Sequence, residues 1–201
     1  MPEATEQTDV GEHAGSAVPA VDTKQESLKT VLIGPQHRID KFVCAKSARV
    51  TGFFADEYQV LVPQNYCRVF VLPNPADETH IWGFYTLSPS ALVRSMAKNR
   101  EQKKIPVGLP IPMILIGFMG RNDDAPKGVG EALIVDAARR VYRNGDIPAW
   151  GLMLDSEGGP NNDRLWNWYQ AQGFQPAKAV TDKPDSGVMY AALSWLIPEL
   201  H

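Results

Sequence analysis

The stretch Ala125-Pro126-Lys127-Gly128-Val129-Gly130 lies between an apolar run, Ile111 to Met119, and a helical pattern that opens with Glu131-Ala132-Leu133. Strand, glycine loop and helix in that order present bare main-chain N–H groups to an anion. The glycines let the chain approach closely, and the helix start adds partial positive charge. The chemistry this suits is the holding of a phosphate. An ordinary helix-entry turn uses the same glycines, so the loop alone does not decide. A second element lies further along, Asn162-Asp163-Arg164-Leu165-Trp166-Asn167-Trp168-Tyr169-Gln170-Ala171-Gln172-Gly173-Phe174. It combines an amide, a phenol and a glycine stop at fixed spacing. Asn before Asp-Arg is also good helix-capping chemistry. A tyrosine beside Trp166 and Trp168 is equally a core aromatic whose hydroxyl bonds the backbone, and both tryptophans read as packing residues. His13, His37, His80 and His201 are scattered without ligand spacing, so no metal site is expected.

These residues need elements to position them. Thr30 to Ile33 reads as a first strand. Ser47 to Val62 carries Val50, Phe53, Phe54, Tyr58, Val60 and Leu61 at helical spacing. Cys67 to Leu72 and Ile81 to Leu87 alternate around the turn-forming Pro73-Asn74-Pro75-Ala76-Asp77, which predicts a hairpin. Ser90 to Ala97 predicts a short helix. Pro106, Pro110 and Pro112 then force an extended approach to the buried strand Ile111 to Met119. Gly130 to Tyr142 predicts a helix stopped at Asn144-Gly145. Ala149 to Leu154 reads as a strand and Asp163 to Gln172 as a helix. A strand from Phe174 and another over Val188 to Ser194 complete the order. The sum is an α/β (α+β) chain, a mixed sheet flanked by helices.

Composition narrows the class. The 201 residues are 44% hydrophobic, which supports a sizeable core. Residues 1–27 lack apolar periodicity and predict a disordered acidic tail, with one domain over 28–201. Residues 1–30 carry Glu3, Glu6, Asp9, Glu12, Asp22 and Glu26 against Lys24 and Lys29, a balance of −4; with −3 overall, the remainder is near +1. Bulk charge therefore argues neither for nor against nucleic acid. A local basic run, Arg94, Lys98, Arg100, Lys103 and Lys104, reads either as a solvated face or as a contact for RNA phosphates or an acidic acceptor. No apolar run approaches the length of a membrane span, no secretory pattern opens the chain, and Cys44 and Cys67 read as reduced thiols. A cytoplasmic protein without membrane contact is expected.

Taken together, the two elements resemble the GNAT-type N-acetyltransferase superfamily. That family carries Q/R-x-x-G-x-G/A at the start of its central helix, and N-x-x-A-x-x-x-Y followed by x-x-x-G-F later. Lys127-Gly128-Val129-Gly130 matches most of the first motif; Asn162, Tyr169 and Gly173-Phe174 match the second. The resemblance covers residues 30 to 194 and implies a GNAT-like, mostly antiparallel central sheet with flanking helices. It implies acetyl-coenzyme A as co-substrate, no metal, and an amine acceptor (small molecule, protein or aminoacyl-tRNA). The main-chain groups of Lys127, Gly128, Val129 and Gly130 would hold the pyrophosphate. Met119, Gly120 and Arg121 would meet the pantetheine as a splayed strand does, and the Asn162 amide would touch the same arm. Tyr169 would serve the departing thiolate as general acid. Two departures stand out: Ala125 replaces the motif's first Gln or Arg, and Asp123 and Asp124 precede a Pro126 that brings no donor. Acids there weaken pyrophosphate binding unless they point away.

A narrower likeness rests on Phe42-Val43-Cys44, Gly83-Phe84-Tyr85-Thr86-Leu87-Ser88, Leu109-Pro110-Ile111-Pro112 and Ile114-Leu115-Ile116-Gly117. It is to the toxin branch of that superfamily, which acetylates aminoacyl-tRNA and pairs with small antitoxins, often as homodimers. Phe118 stands where those toxins usually have Arg. A non-catalytic binding protein of the same fold is the third reading. No general base stands out: Glu57 reads mainly as a surface carboxylate.

Overall fold

The computed structural model describes residues 28–178 and 187–200. The predicted acidic tail, His13 and His201 lie outside the described residues. The described residues form a seven-stranded sheet. β1 (Val31–Leu32), β2 (Arg68–Asn74), β3 (Asp77–Leu92), β4 (Ile111–Arg121), β5 (Gly151–Asp155), β6 (Gln175–Pro176) and β7 (Val188–Ala192) are ordered β1-β2-β3-β4-β5-β7-β6. Every neighbouring pair is antiparallel except β4 and β5. That parallel pair needs a crossover, and α4 (Val129–Arg143) supplies it.

The hairpin is where its turn residues put it. Asn74 lies opposite Asp77, and the Asn74 side chain accepts from the Ala76 N–H at 2.9 Å. β3 runs on further than the alternation suggests, and the predicted helix over Ser90 to Ala97 is not formed. Ser88 to Leu92 instead pair with Leu115 to Ile111 of β4, leaving only a 3-10 turn at Arg94–Met96. β2 stops opposite Leu87, so Pro89 stands where β3 has a free edge and its missing N–H breaks no ladder.

The predicted helix over Ser47 to Val62 is two: α1 (Ala48–Asp56), capped by Ser47, and α2 (Tyr58–Leu61), which restarts at Glu57. A short α3 (Asn99–Gln102) sits within the basic run. The last strand ends at Ala192, not Ser194. There α6 (Leu193–Leu196) turns Leu193 and Leu196 into the core.

The sheet has a core on each face. On one, α4 buries Val129, Leu133, Ile134, Ala137 and Ala138 against Tyr85, Ile116, Leu152 and Leu154. On the other, α1 buries Phe53 and Phe54 against Phe42 and Phe84, with ring centroids 4.6–5.6 Å apart. Those two layers pack on β4 from both faces, through Ile116 on one side and Phe118 on the other.

Candidate active site

The β4–β5 ladder covers Met113–Ile116 against Gly151–Leu154 and goes no further, while β4 continues to Arg121. Beyond Ile116 the two strands diverge. On the other side, Gly120 faces Phe84 and the Asn122 N–H donates to Trp82 O at 2.8 Å. That bond fixes the phase of the ladder: Met119 and Arg121 turn their main-chain N–H and C=O away from β3, into the divergence. Gly120 does the opposite. Its main-chain groups serve β3, and its part is to lack a side chain, since a Cβ there would strike Val50. A bulge helps the strand bend: Thr86 Oγ1 takes the Phe118 N–H at 2.9 Å where the β3–β4 register slips.

The divergence opens a cleft of about 680 Å³. Met119, Gly120, Arg121, Lys127, Gly128, Gly130, Asn162 and Tyr169, each predicted from the sequence, all line it. Val129 does not: its side chain is fully buried in the core.

The loop is built to leave donors free. Gly128 caps α4 with φ of 90°, a conformation that glycine adopts without strain. The first bond of the helix runs from the Ala132 N–H to Gly128 O at 3.0 Å. The N–H groups of Lys127 through Glu131 donate to no protein acceptor among the described residues. Arg121 reaches back to the Ala125 and Pro126 carbonyls at 2.9 and 3.3 Å, holding those oxygens. The two preceding acids are also engaged. Asp123 accepts the Ala45 N–H at 3.0 Å, and Asp124 pairs with His80 at 2.8 Å. The arrangement is a nest of unused donors flanked by Lys127 and Arg121, which suits a diphosphate.

β5 leads into a sharp loop, in which Gly158 and Gly159 both have positive φ, and then into α5 (Asp163–Ala171). Asn162 takes the capping part that its residue type offers. Its side-chain oxygen caps the Leu165 N–H at 3.4 Å, while its amide donates to Glu157 O at 3.1 Å and faces the cleft.

Tyr169 is 8% exposed and packs against Trp168 and Phe174. Its hydroxyl makes no hydrogen bond to the protein among the described residues, so the backbone-bonded alternative does not describe it. Burial, and then the Glu157 carboxylate, push its phenol well above the ordinary range.

Three cleft residues carry no readable signal in the sequence. Trp168, whose type and place suggest packing alone, puts its ring where a Cβ on Gly130 would sit at 3.0 Å, and its indole N–H donates to Glu131 at 3.1 Å. Glu157 and Ser47, far apart in sequence, meet at 2.7 Å. The Gly158-Gly159 pair is the only local hint at that turn. Glu57, by contrast, does not line the cleft. Among the described residues no cluster of acids, histidines and cysteines fits a metal ion, and no helix is long and apolar enough to cross a membrane.

No family model matches the sequence. Several solved structures share its architecture. A tyrosine-to-phenylalanine mutant of KacT aligns with a TM-score of 0.71 and 20% identity, over 85% of this chain and 98% of that one. AtaT complexed with acetyl-methionyl-tRNAfMet gives 0.67 and 19%, over 82% and 92%. A tyrosine-to-phenylalanine mutant of the AtaT toxin, bound to the C-terminus of the antitoxin AtaR and acetyl-CoA, gives 0.64 and 15%, over 85% and 96%. This is a GNAT-like fold. In GNAT-like terms, the expected mostly antiparallel sheet with flanking helices is present, and its one parallel pair is the pair that opens the cleft.

Proposed function

We propose that this chain transfers the acetyl group of acetyl-CoA to the amino group of an aminoacyl-tRNA, as the toxin of a toxin–antitoxin pair. One observation carries the transferase reading. A buried phenol with an unclaimed hydroxyl shares a cleft with Lys127, Gly128, Gly130 and Glu131, whose N–H groups are unclaimed among the described residues. The residues fit the co-substrate along its length. The nest and Lys127 suit the diphosphate, the outward main-chain groups of Met119 and Arg121 suit the pantetheine amides, and Tyr169 suits the sulfur.

Bound acetyl-CoA would supply an activated thioester carbonyl. The chain holds that carbon within reach of the amine, and most of the rate comes from that positioning. As the amine nitrogen bonds to the carbonyl carbon and the carbon–sulfur bond breaks, Tyr169 gives its proton to the sulfur. The tRNA acceptor is supported by the shared fold with AtaT, whose complex holds acetyl-methionyl-tRNAfMet. The same likeness supports an antitoxin partner. The free thiols of Cys44 and Cys67 support a reducing, cytoplasmic setting.

The first test is calorimetric titration with acetyl-CoA, followed by acetylation of bulk charged tRNA and by expression in a sensitive bacterium. Binding, acetylated aminoacyl-tRNA and growth arrest are expected. Tyr169→Phe should cut turnover by about a hundredfold or more while moving acetyl-CoA affinity by less than about threefold. No heat at millimolar acetyl-CoA would overturn the transferase reading, and unimpaired growth with folded protein would overturn the toxin reading.

A further inference from the structure

Four acids line the cleft, and they are not equivalent. Asp123 is held by the Ala45 N–H, Glu131 by the Trp168 indole, and Asp155 lies against Gly187 across from β7. Glu157 alone has a hydroxyl as its side-chain partner: Ser47, the cap of α1, donates to it at 2.7 Å. This bond bridges the cleft, joining the start of α1 to the loop after β5, and both residues line the opening. Among the described residues Glu157 forms no ion pair, although Lys46, Arg49, Arg121, Lys127 and Arg164 all face the same space. The loop carrying it is fixed from below. The Asn162 amide grips the Glu157 carbonyl, and two left-handed glycines follow at once. Glu157 and Tyr169 line the same cleft, and the carboxylate's charge helps to raise the phenol.

We propose that Glu157 is the seat of the acceptor's ammonium: the incoming cation displaces the Ser47 hydroxyl, binds the carboxylate and passes it one proton. This rests on the acetyltransferase reading and assigns the residue that receives the acceptor and takes its proton. The balance is simple. An ammonium cannot attack a carbonyl, because its nitrogen lone pair is in an N–H bond. Glu157 takes that proton and leaves a neutral amine beside the thioester. The nitrogen then bonds to the carbonyl carbon, the carbon–sulfur bond breaks, and the sulfur takes the Tyr169 proton. The nitrogen gives up its second proton to return the phenol to its starting form. Glu157 then releases its proton to water. A hydroxyl acceptor brings no charge to exchange for Ser47 and stays outside.

The test uses the full chain, bulk charged tRNA and radiolabelled acetyl-CoA, with Glu157→Gln and Glu157→Asp. Gln keeps an oxygen for Ser47 and preserves the bridge, so a merely structural role predicts no change. We expect Glu157→Gln to bind acetyl-CoA by calorimetry as the wild type does. Its kcat/KM for the acceptor should fall at least about tenfold near pH 6.5, and the gap should close toward pH 9, where an α-amine of pKa about 8 is already neutral. Asp should recover part of the loss. A pH-independent change, or none, in a wild type that acetylates charged tRNA would overturn the role of Glu157 alone. A wild type that fails to bind acetyl-CoA would overturn the underlying reading and this one with it.

Discussion

Gly128 and Gly130 sit two residues apart and matter for different reasons. A Cβ on Gly128 meets nothing within 4 Å, but its φ of 90° is a conformation L-residues avoid. Gly128→Ala should therefore lose about 1–2 kcal/mol by backbone strain alone, read as a fall in urea midpoint with unchanged slope. An unchanged midpoint would refute the left-handed cap. Gly130 has no such strain; its Cβ would press on the Trp168 ring at 3.0 Å, so its glycine is needed for the close approach of α4 to α5. Both glycines are visible in the sequence as parts of a glycine loop at a helix start. Strain and space are not separable there, because that distinction depends on a tryptophan from another helix. Asp123 and Asp124 look adverse in the sequence for the same reason: the Ala45 N–H and the His80 ring that occupy them come from elsewhere in the chain.

At the level of elements, Asn162 couples the cap of α5 to the loop after β5. The two parts are separable. Ser caps as well as Asn, but has no amide to hold the Glu157 carbonyl. Asn162→Ser should melt within about 0.5 kcal/mol of the wild type, whereas Asn162→Ala should lose about 1 kcal/mol. Both should raise the acceptor KM several-fold. Equal stability losses would show that the cap is not its structural part. Helix α5 is legible because the capping residue, apolar spacing and Gly173 agree. The full length of β3 is not, because Ser88-Pro89-Ser90 carries local turn chemistry. The register with Leu115 to Met113 outweighs it, and Pro89 is tolerated only because β2 has already ended. In the same way Ser194 continues an apolar run on paper, but burying both Leu193 and Leu196 requires a helical turn.

Over the whole molecule, four acidic hydrogens among the described residues are held more tightly when folded than when unfolded. Burial raises the Cys67 thiol and the Tyr190 phenol, burial and Asp136 raise the Tyr85 phenol, and burial and Glu157 raise the Tyr169 phenol. The folded state thus binds more protons than the unfolded one above the ordinary pKa values, about 8.5 for thiol and 10 for phenol. Stability is fully present below those values and declines as pH climbs past them. Urea midpoints should hold from about pH 7 to 8 and fall by pH 10.5, less steeply in Tyr169→Phe. A midpoint that rises with alkali would contradict the burial of these groups. The sheet order has a further consequence for biosynthesis. The strand that seals the outer edge of β5 is β7, so residues 188–192 must leave the ribosomal tunnel before the floor beneath the cleft is complete. A nascent chain can assemble the hairpin and α1 early, yet its cleft stays without a finished floor until β7 has been made.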